Sequence, residues 1–146
     1  MREDSKIYFI DTNIFIRILF KENERIFQDC LSVLKLVKND KITAFICSLV
    51  IAEIDWVLER VYKISKHQVV NDLQSIFKLK NLKICDKNDL KLAIYLYKRY
   101  NVKFIDAIIA SNDLIQKKSA IIVSYDKDFD KLGVKRIEPK KLLKKL

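Results

Sequence analysis

Four carboxylates in this chain stand where a charge is hard to keep without a partner. Asp11 ends the apolar run Ile7-Tyr8-Phe9-Ile10, and Asp126 follows closely on Ala120-Ile121-Ile122-Val123 in Ser124-Tyr125-Asp126-Lys127-Asp128-Phe129-Asp130. Glu53 interrupts Leu49-Val50-Ile51-Ala52-Glu53-Ile54, and Asp106 interrupts Phe104-Ile105-Asp106-Ala107-Ile108-Ile109-Ala110. An unpaired buried carboxylate costs several kcal/mol, so it is neutralised, paired or bound to a cation. Taken singly, each acid has an ordinary use. Asp11 or Thr12 can cap a helix, the stretch 124–130 can be a turn, and Glu53 and Asp106 lie early in their helices, where the dipole stabilises an anion by about 0.3–1 kcal/mol.

Gathered at one end of a sheet, the four would repel one another and drive some of their pKa values up unless a cation neutralised them. Oxygen donors alone suit a hard divalent ion, Mg²⁺ or Mn²⁺, one or two of them. Zinc would want histidine and cysteine, yet His67 is the only histidine and Cys30, Cys47 and Cys85 follow no metal-ligand spacing. A metal held by carboxylates activates water for in-line attack and neutralises charge on a phosphodiester, which points to hydrolysis of nucleic acid. Arg17, Lys103 and Lys127 are the cations nearest these acids in sequence and are candidates to contact the substrate backbone; each could equally be a solvated surface charge.

Several other chemistries are excluded. One glycine, Gly133, in the whole chain leaves no glycine-rich phosphate loop and no G-x-S-x-G elbow. His67 falls inside the capping box Ser65-Lys66-His67-Gln68, on an exposed first helical turn, which argues against Cys-His catalysis. Trp56, Tyr62, Tyr95, Tyr97 and Tyr100 could stack on bases, but their helical spacing favours core or interface packing.

The elements that must position the acids follow from hydrophobic periodicity. Short apolar runs at 7–10, 42–47, 82–85 and 120–124 read as buried strands, with a weaker one at 134–137. Helices are predicted from Thr12, over 25–39, from a Ser48 cap through Val61, over 65–77, from an Asp86 cap to about Tyr100, and over 104–116. Short strands alternating with long helices indicate an α/β fold, a parallel sheet covered on both faces. Ligands of such sheets bind beyond the carboxyl ends of the strands, where Asp11 and the 124–130 stretch must both lie.

With 146 residues, half of them apolar, the chain is predicted to form one domain that buries roughly 70% of its unfolded surface without disulfides or a structural metal. Its core spans about 7–138. The basic end, residues 139–146, reads as a loose last turn or as a short amphipathic helix. Twenty-nine Lys and Arg against 19 Asp and Glu give a net charge of +10, which favours a polyanionic partner. No apolar run approaches the length of a membrane span and Met1-Arg2-Glu3-Asp4 opens no apolar leader, so a cytoplasmic location without membrane contact is expected.

In their order along the chain, these residues resemble the PIN domain family. The resemblance is carried by the strand into Asp11-Thr12-Asn13, the mid-chain helix with Glu53, Phe104-Ile105-Asp106-Ala107-Ile108-Ile109-Ala110 and Ser124-Tyr125-Asp126-Lys127-Asp128-Phe129. It extends over about 7–132, and the length and single-domain form are similar to the VapC-like toxins of toxin–antitoxin pairs. It implies a PIN-like fold with a central parallel sheet flanked by helices, and a metal-dependent endoribonuclease acting on RNA. Asp11, Glu53, Asp106 and Asp126 would be the acidic metal-binding set, with Asn13 and Ser124 supporting it. A homodimer and a cognate antitoxin partner are implied too.

Asp128 could share the ligand role: an extended backbone would point Asp126 and Asp128 the same way, and a turn would separate them. Three other readings compete: a free-standing PIN nuclease of RNA processing or decay, a catalytically silent RNA-binding module, and a receiver-like signalling domain. The last fits less well, because Asp11-Thr12-Asn13 supplies one acid where such domains pair two.

Overall fold

The computed structural model describes residues 6–146, so the opening Met1-Arg2-Glu3-Asp4 lies outside the described residues. The central strand β1 (Ile7–Ile10) is followed directly by helix α1 (Thr12–Leu19) and then by α2 (Glu24–Lys38). Asn23 caps α2 by accepting from the Ile26 amide at 3.0 Å, and the helix buries Cys30, Val33 and Val37, the stripe its spacing predicts. Strand β2 (Thr43–Ile46) pairs with β1 on one side, and β3 (Leu82–Ile84) lies beyond it. On the other side of β1 come β4 (Ala120–Val123) and β5 (Arg136–Ile137), giving the order β3-β2-β1-β4-β5 with every pairing parallel.

This order creates a switch point. From β1 the chain builds outward through β2 and β3 and then returns to add β4 and β5 on the opposite side. Connections that leave β1 and β4 in opposite directions open a crevice above their carboxyl ends. Ile10 is in register with Val123, and the Asp11 amide donates to the Val123 carbonyl at 3.1 Å, so Asp11 and Ser124 emerge side by side at that crevice. Below it Phe9, Ile10, Ile122 and Val123 have no exposed surface, and Phe9 meets Phe45 edge to face.

Several expectations need correction. The helix predicted over 48–61 changes character: α3 (Ser48–Trp56) is α-helical, but Val57–Val61 forms a π turn closed by the Tyr62 amide on the Val57 carbonyl at 3.2 Å. Ser48 is the first residue of α3 rather than its cap, and Asp86, expected to cap the helix that follows it, instead takes the Ser48 amide and hydroxyl, both at 2.6 Å. Only half of the capping box at the start of α4 (Lys66–Phe77) forms: Ser65 Oγ accepts from the Gln68 amide, while the Gln68 side chain donates to Asp72. Helix α5 (Leu90–Arg99) is capped by Asp89.

The helix predicted over 104–116 breaks into α6 (Phe104–Ala110) and α7 (Asp113–Gln116). Buried Asn112 caps α7 and bonds Asn88 at 2.9 Å, contacts that a continuous helix would forgo. Finally, α8 (Asp128–Lys131) leads through Gly133, whose φ of +70° suits a residue without Cβ, to β5, and the basic end forms α9 (Pro139–Lys145). It is no loose turn: Leu142 is fully buried where α9 packs on α2, while its lysines face outward.

Of the aromatic residues singled out, Trp56, Tyr95, Tyr97 and Tyr100 are exposed and outside the core, and Tyr62 alone is half-buried. His67 is exposed on the first turn of α4. Among the described residues no helix is long and apolar enough to cross a membrane.

Candidate active site

Asp11 stands at the N-cap of α1 and is almost wholly buried, yet each carboxylate oxygen has a partner. Oδ1 accepts from the Thr12 amide at 2.8 Å, and Oδ2 accepts from the Ser124 hydroxyl at 2.6 Å and from Asn13 Nδ2 at 3.2 Å. Burial pushes its pKa up to about 6; the bonds from Ser124 and Thr12 oppose this, and the nearby charges of Glu53 and Asp126 add to it. Ser124 also accepts from Asn13 Nδ2 at 3.0 Å and from the Asp126 amide at 2.9 Å, and Asp126 Oδ1 accepts from the Asp128 amide at 2.9 Å. One chain of bonds therefore runs from Asp11 through Ser124 to Asp126 and the start of α8.

Asp106, on the first turn of α6, is 3% exposed, and its Oδ2 is buried without any hydrogen-bond partner. Carboxylate oxygens of Asp106, Asp126 and Asp128 lie within 4.8 Å of one another. Burial and the adjacent Asp126 push the Asp106 pKa up to about 8, with Lys103 opposing. Asp126 is held below the usual carboxylate range: burial works against its charge, but hydrogen bonding from Asp106, the Asp128 amide and Lys103 outweighs it. Of the two neighbours, Asp106 is therefore the one whose surroundings favour the protonated form. Lys103 Nζ sits 3.2 Å from Asp126 Oδ2 and 3.8 Å from Asp106 Oδ2, and the anions hold its pKa up although burial opposes this.

A cleft of about 220 Å³ opens over these groups. Asp11, Asn13, Glu53, Asp106 and Asp126 line it, together with Arg17 and Lys103. Ser124 lies buried beneath, bonded to Asp11. Arg17 is paired with Glu22 at 3.7 Å. Lys127 is exposed and does not line the cleft. Asp128 is outside the cleft lining and pairs with Lys131 at 3.1 Å. The backbone turns between Asp126 and Asp128, yet the turn keeps their carboxylate oxygens together, an outcome that neither simple backbone alternative anticipates.

One residue at the site, Arg136, escaped the reading of the sequence, and another, Tyr62, was assigned to packing in preference to base stacking. Arg136, on β5, donates to the Ser124 carbonyl at 3.0 Å and to both Asp130 oxygens at 3.1 Å, which ties the end of β4 to α8 and so holds the turn that carries Asp126. Its only sequence signal is a position in a weak strand. Tyr62 lines the cleft just after the π turn.

The model of the PIN domain matches residues 8–135. The chain belongs to the PIN domain family. No curated protein matches its sequence. Among solved structures, this PIN domain is similar to the VapBC2 complex of Rickettsia felis bound to a DNA fragment from its promoter. The TM-score is 0.62 at 24% identity, over 90% of this chain and 98% of that one. It is also similar to VapC20 of Mycobacterium tuberculosis, described as a toxin that cleaves the sarcin-ricin loop. There the TM-score is 0.64 at 17% identity, over 91% and 99% of the two chains. These likenesses place the five-stranded parallel sheet and its helices within the fold of the PIN domain. Membership of the family supports assignment as a nuclease.

The side chains present fit a divalent metal. The PIN domain's cleft offers oxygen donors to a metal, it holds an orphaned buried carboxylate oxygen on Asp106, and the Lys103 ammonium at 3.8 Å is too distant to hydrogen-bond that oxygen. Mg²⁺ and Mn²⁺ are the ions whose preference for oxygen matches this set.

Proposed function

We propose that this PIN domain is a metal-dependent endoribonuclease and the toxin of a toxin–antitoxin pair. The observation that carries the reading is the buried Asp106 oxygen with no partner, in a cleft beside Asp126 and within 4.8 Å of an Asp128 oxygen, on a chain of net charge +10. Asp11, Glu53, Asp106 and Asp126, with Asp128 at the margin, would hold one or two Mg²⁺ or Mn²⁺ ions. Such an ion, when bound, supplies an activated water for attack on the RNA phosphodiester and neutralises the charge that develops there.

The protein's own side chains supply the rest. Ser124 and Asn13 fix the Asp11 carboxylate, so its lone pairs are aimed before any ligand arrives. Asp106, whose carboxyl burial holds at about 8, would have to lose its proton to serve as a metal ligand. Lys103 and Arg17, at the walls of the cleft, meet the phosphates, and exposed Lys127 adds to the basic surface around it.

The similarity to VapBC2 and to VapC20, a toxin described as cleaving the sarcin-ricin loop, supports an RNA substrate and an antitoxin partner; a homodimer in the cytoplasm belongs to the same proposal. The test is incubation with a mixed pool of structured and single-stranded RNA. Discrete fragments should appear with Mn²⁺ or Mg²⁺ and vanish with excess chelator or with Asp106→Asn. RNA bound tightly but left intact under all conditions would turn the assignment to a binding module.

A further inference from the structure

The lining of the cleft changes character along two helices. On α1 it passes from Asp11, Thr12 and Asn13 to Ile16 and Arg17; from α3 onward it passes from Glu53 to Val57 and Tyr62. From Asn13 to Arg17 and from Glu53 to Val57 the lining advances by four residues, about one helical turn or 6 Å, and Tyr62 lies five residues further on. The acidic end suits a phosphate and its cation. The far end, with Ile16, Val57 and an aromatic ring, suits something flat and apolar.

That ring follows directly on the π turn, at the residue where the helix ends. In an uninterrupted α-helix, at about 3.6 residues per turn, residue 62 would lie half a turn away from residue 53, on the opposite face. The wide turn over Val57–Val61 changes the register, and the chain leaves it with Tyr62 on the same cleft as Glu53. Phe20, at the end of α1, then stacks on Tyr62 with ring centroids 4.0 Å apart and planes 22° from parallel, which fixes the ring without filling the cleft. Arg17, on α1, lines the cleft as well and pairs with Glu22 at 3.7 Å, which leaves a cation available to a nucleotide phosphate lying there.

We propose that Tyr62 is the stacking platform for the base of a nucleotide flanking the scissile phosphate, and that it favours purines because they offer the larger surface. The proposal rests on the reading of the acidic end as the place of phosphodiester hydrolysis. A flat aromatic supports stacking of any base, so the selectivity is graded rather than absolute.

The experiment uses short single-stranded RNAs that differ by one base on either side of the cleaved bond, with wild type, Tyr62→Ala, Tyr62→Phe and Tyr62→Trp compared in Mn²⁺. Wild type should cut purine-flanked sites several-fold faster. Tyr62→Ala should lose about tenfold in kcat/KM, mainly through KM, and level the preference, whereas Phe and Trp at this position should keep both. A Tyr62→Ala variant with the wild-type preference would overturn the proposal, as would a Tyr62→Phe variant that behaves like Tyr62→Ala.

If wild type cuts none of the RNAs, the nuclease reading fails on its own. Fluorescence anisotropy of the same intact RNAs then decides the platform: Tyr62→Ala must weaken binding of the purine-containing ones more than of the others, and equal weakening overturns it.

Discussion

The Lys103 ammonium lies 3.2 Å from a carboxylate oxygen of Asp126, on the same cleft that leaves Asp106 Oδ2 without a hydrogen bond. A lysine on a flexible stem thus occupies the electrostatic role that a divalent ion fills better, because the ion carries twice the charge and can approach closer. Two opposite effects follow from its removal. Lys103→Met should bind Mn²⁺ about tenfold more tightly than wild type, since a competing cation is gone. It should bind RNA more weakly, since a phosphate contact is gone too. Calorimetric titration with Mn²⁺ and anisotropy with RNA read the two separately; a loss of metal affinity in Lys103→Met would contradict this role.

The buried acids give stability a pH dependence of unusual sign. Asp106 moves from an ordinary 3.8 to about 8 in the folded protein, and Asp11 to about 6. Between about pH 4 and 8 the folded state therefore holds protons that the unfolded chain has released, so the metal-free protein loses stability as pH rises through that window. Asp126, shifted downward, acts below pH 4 and does not offset this. Asp106→Asn removes the larger share. By pH 8 the variant should be about 1–3 kcal/mol more stable than metal-free wild type, with the two converging toward pH 4. Urea titrations at several pH values check it, and a gap that does not widen with pH would refute it.

Arg136 holds the acidic turn from behind. Its guanidinium joins the Ser124 carbonyl to Asp130, and burial leaves its side chain only 12% exposed. Arg136→Met should strand that carbonyl, cost about 1–3 kcal/mol of stability and slow RNA cleavage by loosening Asp126. Activity should fall while RNA affinity stays near wild type, because no substrate contact is removed. Equal losses in both would show that the clamp acts elsewhere.

The basic end is part of the fold. Leu142 is fully buried where α9 packs on α2, so Leu142→Ala should cost about 2–4 kcal/mol in chemical unfolding, whereas charge-removing changes at Lys140 or Lys144 should cost less than 0.5 kcal/mol.

Much of this architecture was legible in the residues because single, local rules govern it. A short apolar run that stops at an acid announces both a buried strand and the polar group at its carboxyl end, which is how 7–11 and 120–126 could be read together. Asp106 and Glu53 stood out because a charge inside an apolar segment contradicts its surroundings.

What escaped depended on contacts between distant segments. Asp86 and Asp89 are equally good caps by type; only the neighbouring Ser48 amide draws Asp86 away from α5. The break at Ser111-Asn112 exists because Asn88 and the Cys85 carbonyl are there to satisfy Asn112. The π turn leaves no mark in composition, so Tyr62 read as packing rather than as cleft lining. Leu142 looked like the end of a basic tail until the surface of α2 was in place to cover it.

The most direct test of the acidic cleft as a metal-dependent RNA-hydrolysing centre is the initial rate of cleavage of an end-labelled RNA as Mn²⁺ is raised, for wild type, Asp11→Asn, Asp106→Asn and Asp126→Asn, with folding verified by circular dichroism. Wild type should show a rate that saturates with metal and falls to background in chelator, and each variant should be slower by about a hundredfold or more. Cleavage that persists in chelator, or that survives in folded Asp106→Asn at the wild-type rate, would contradict it.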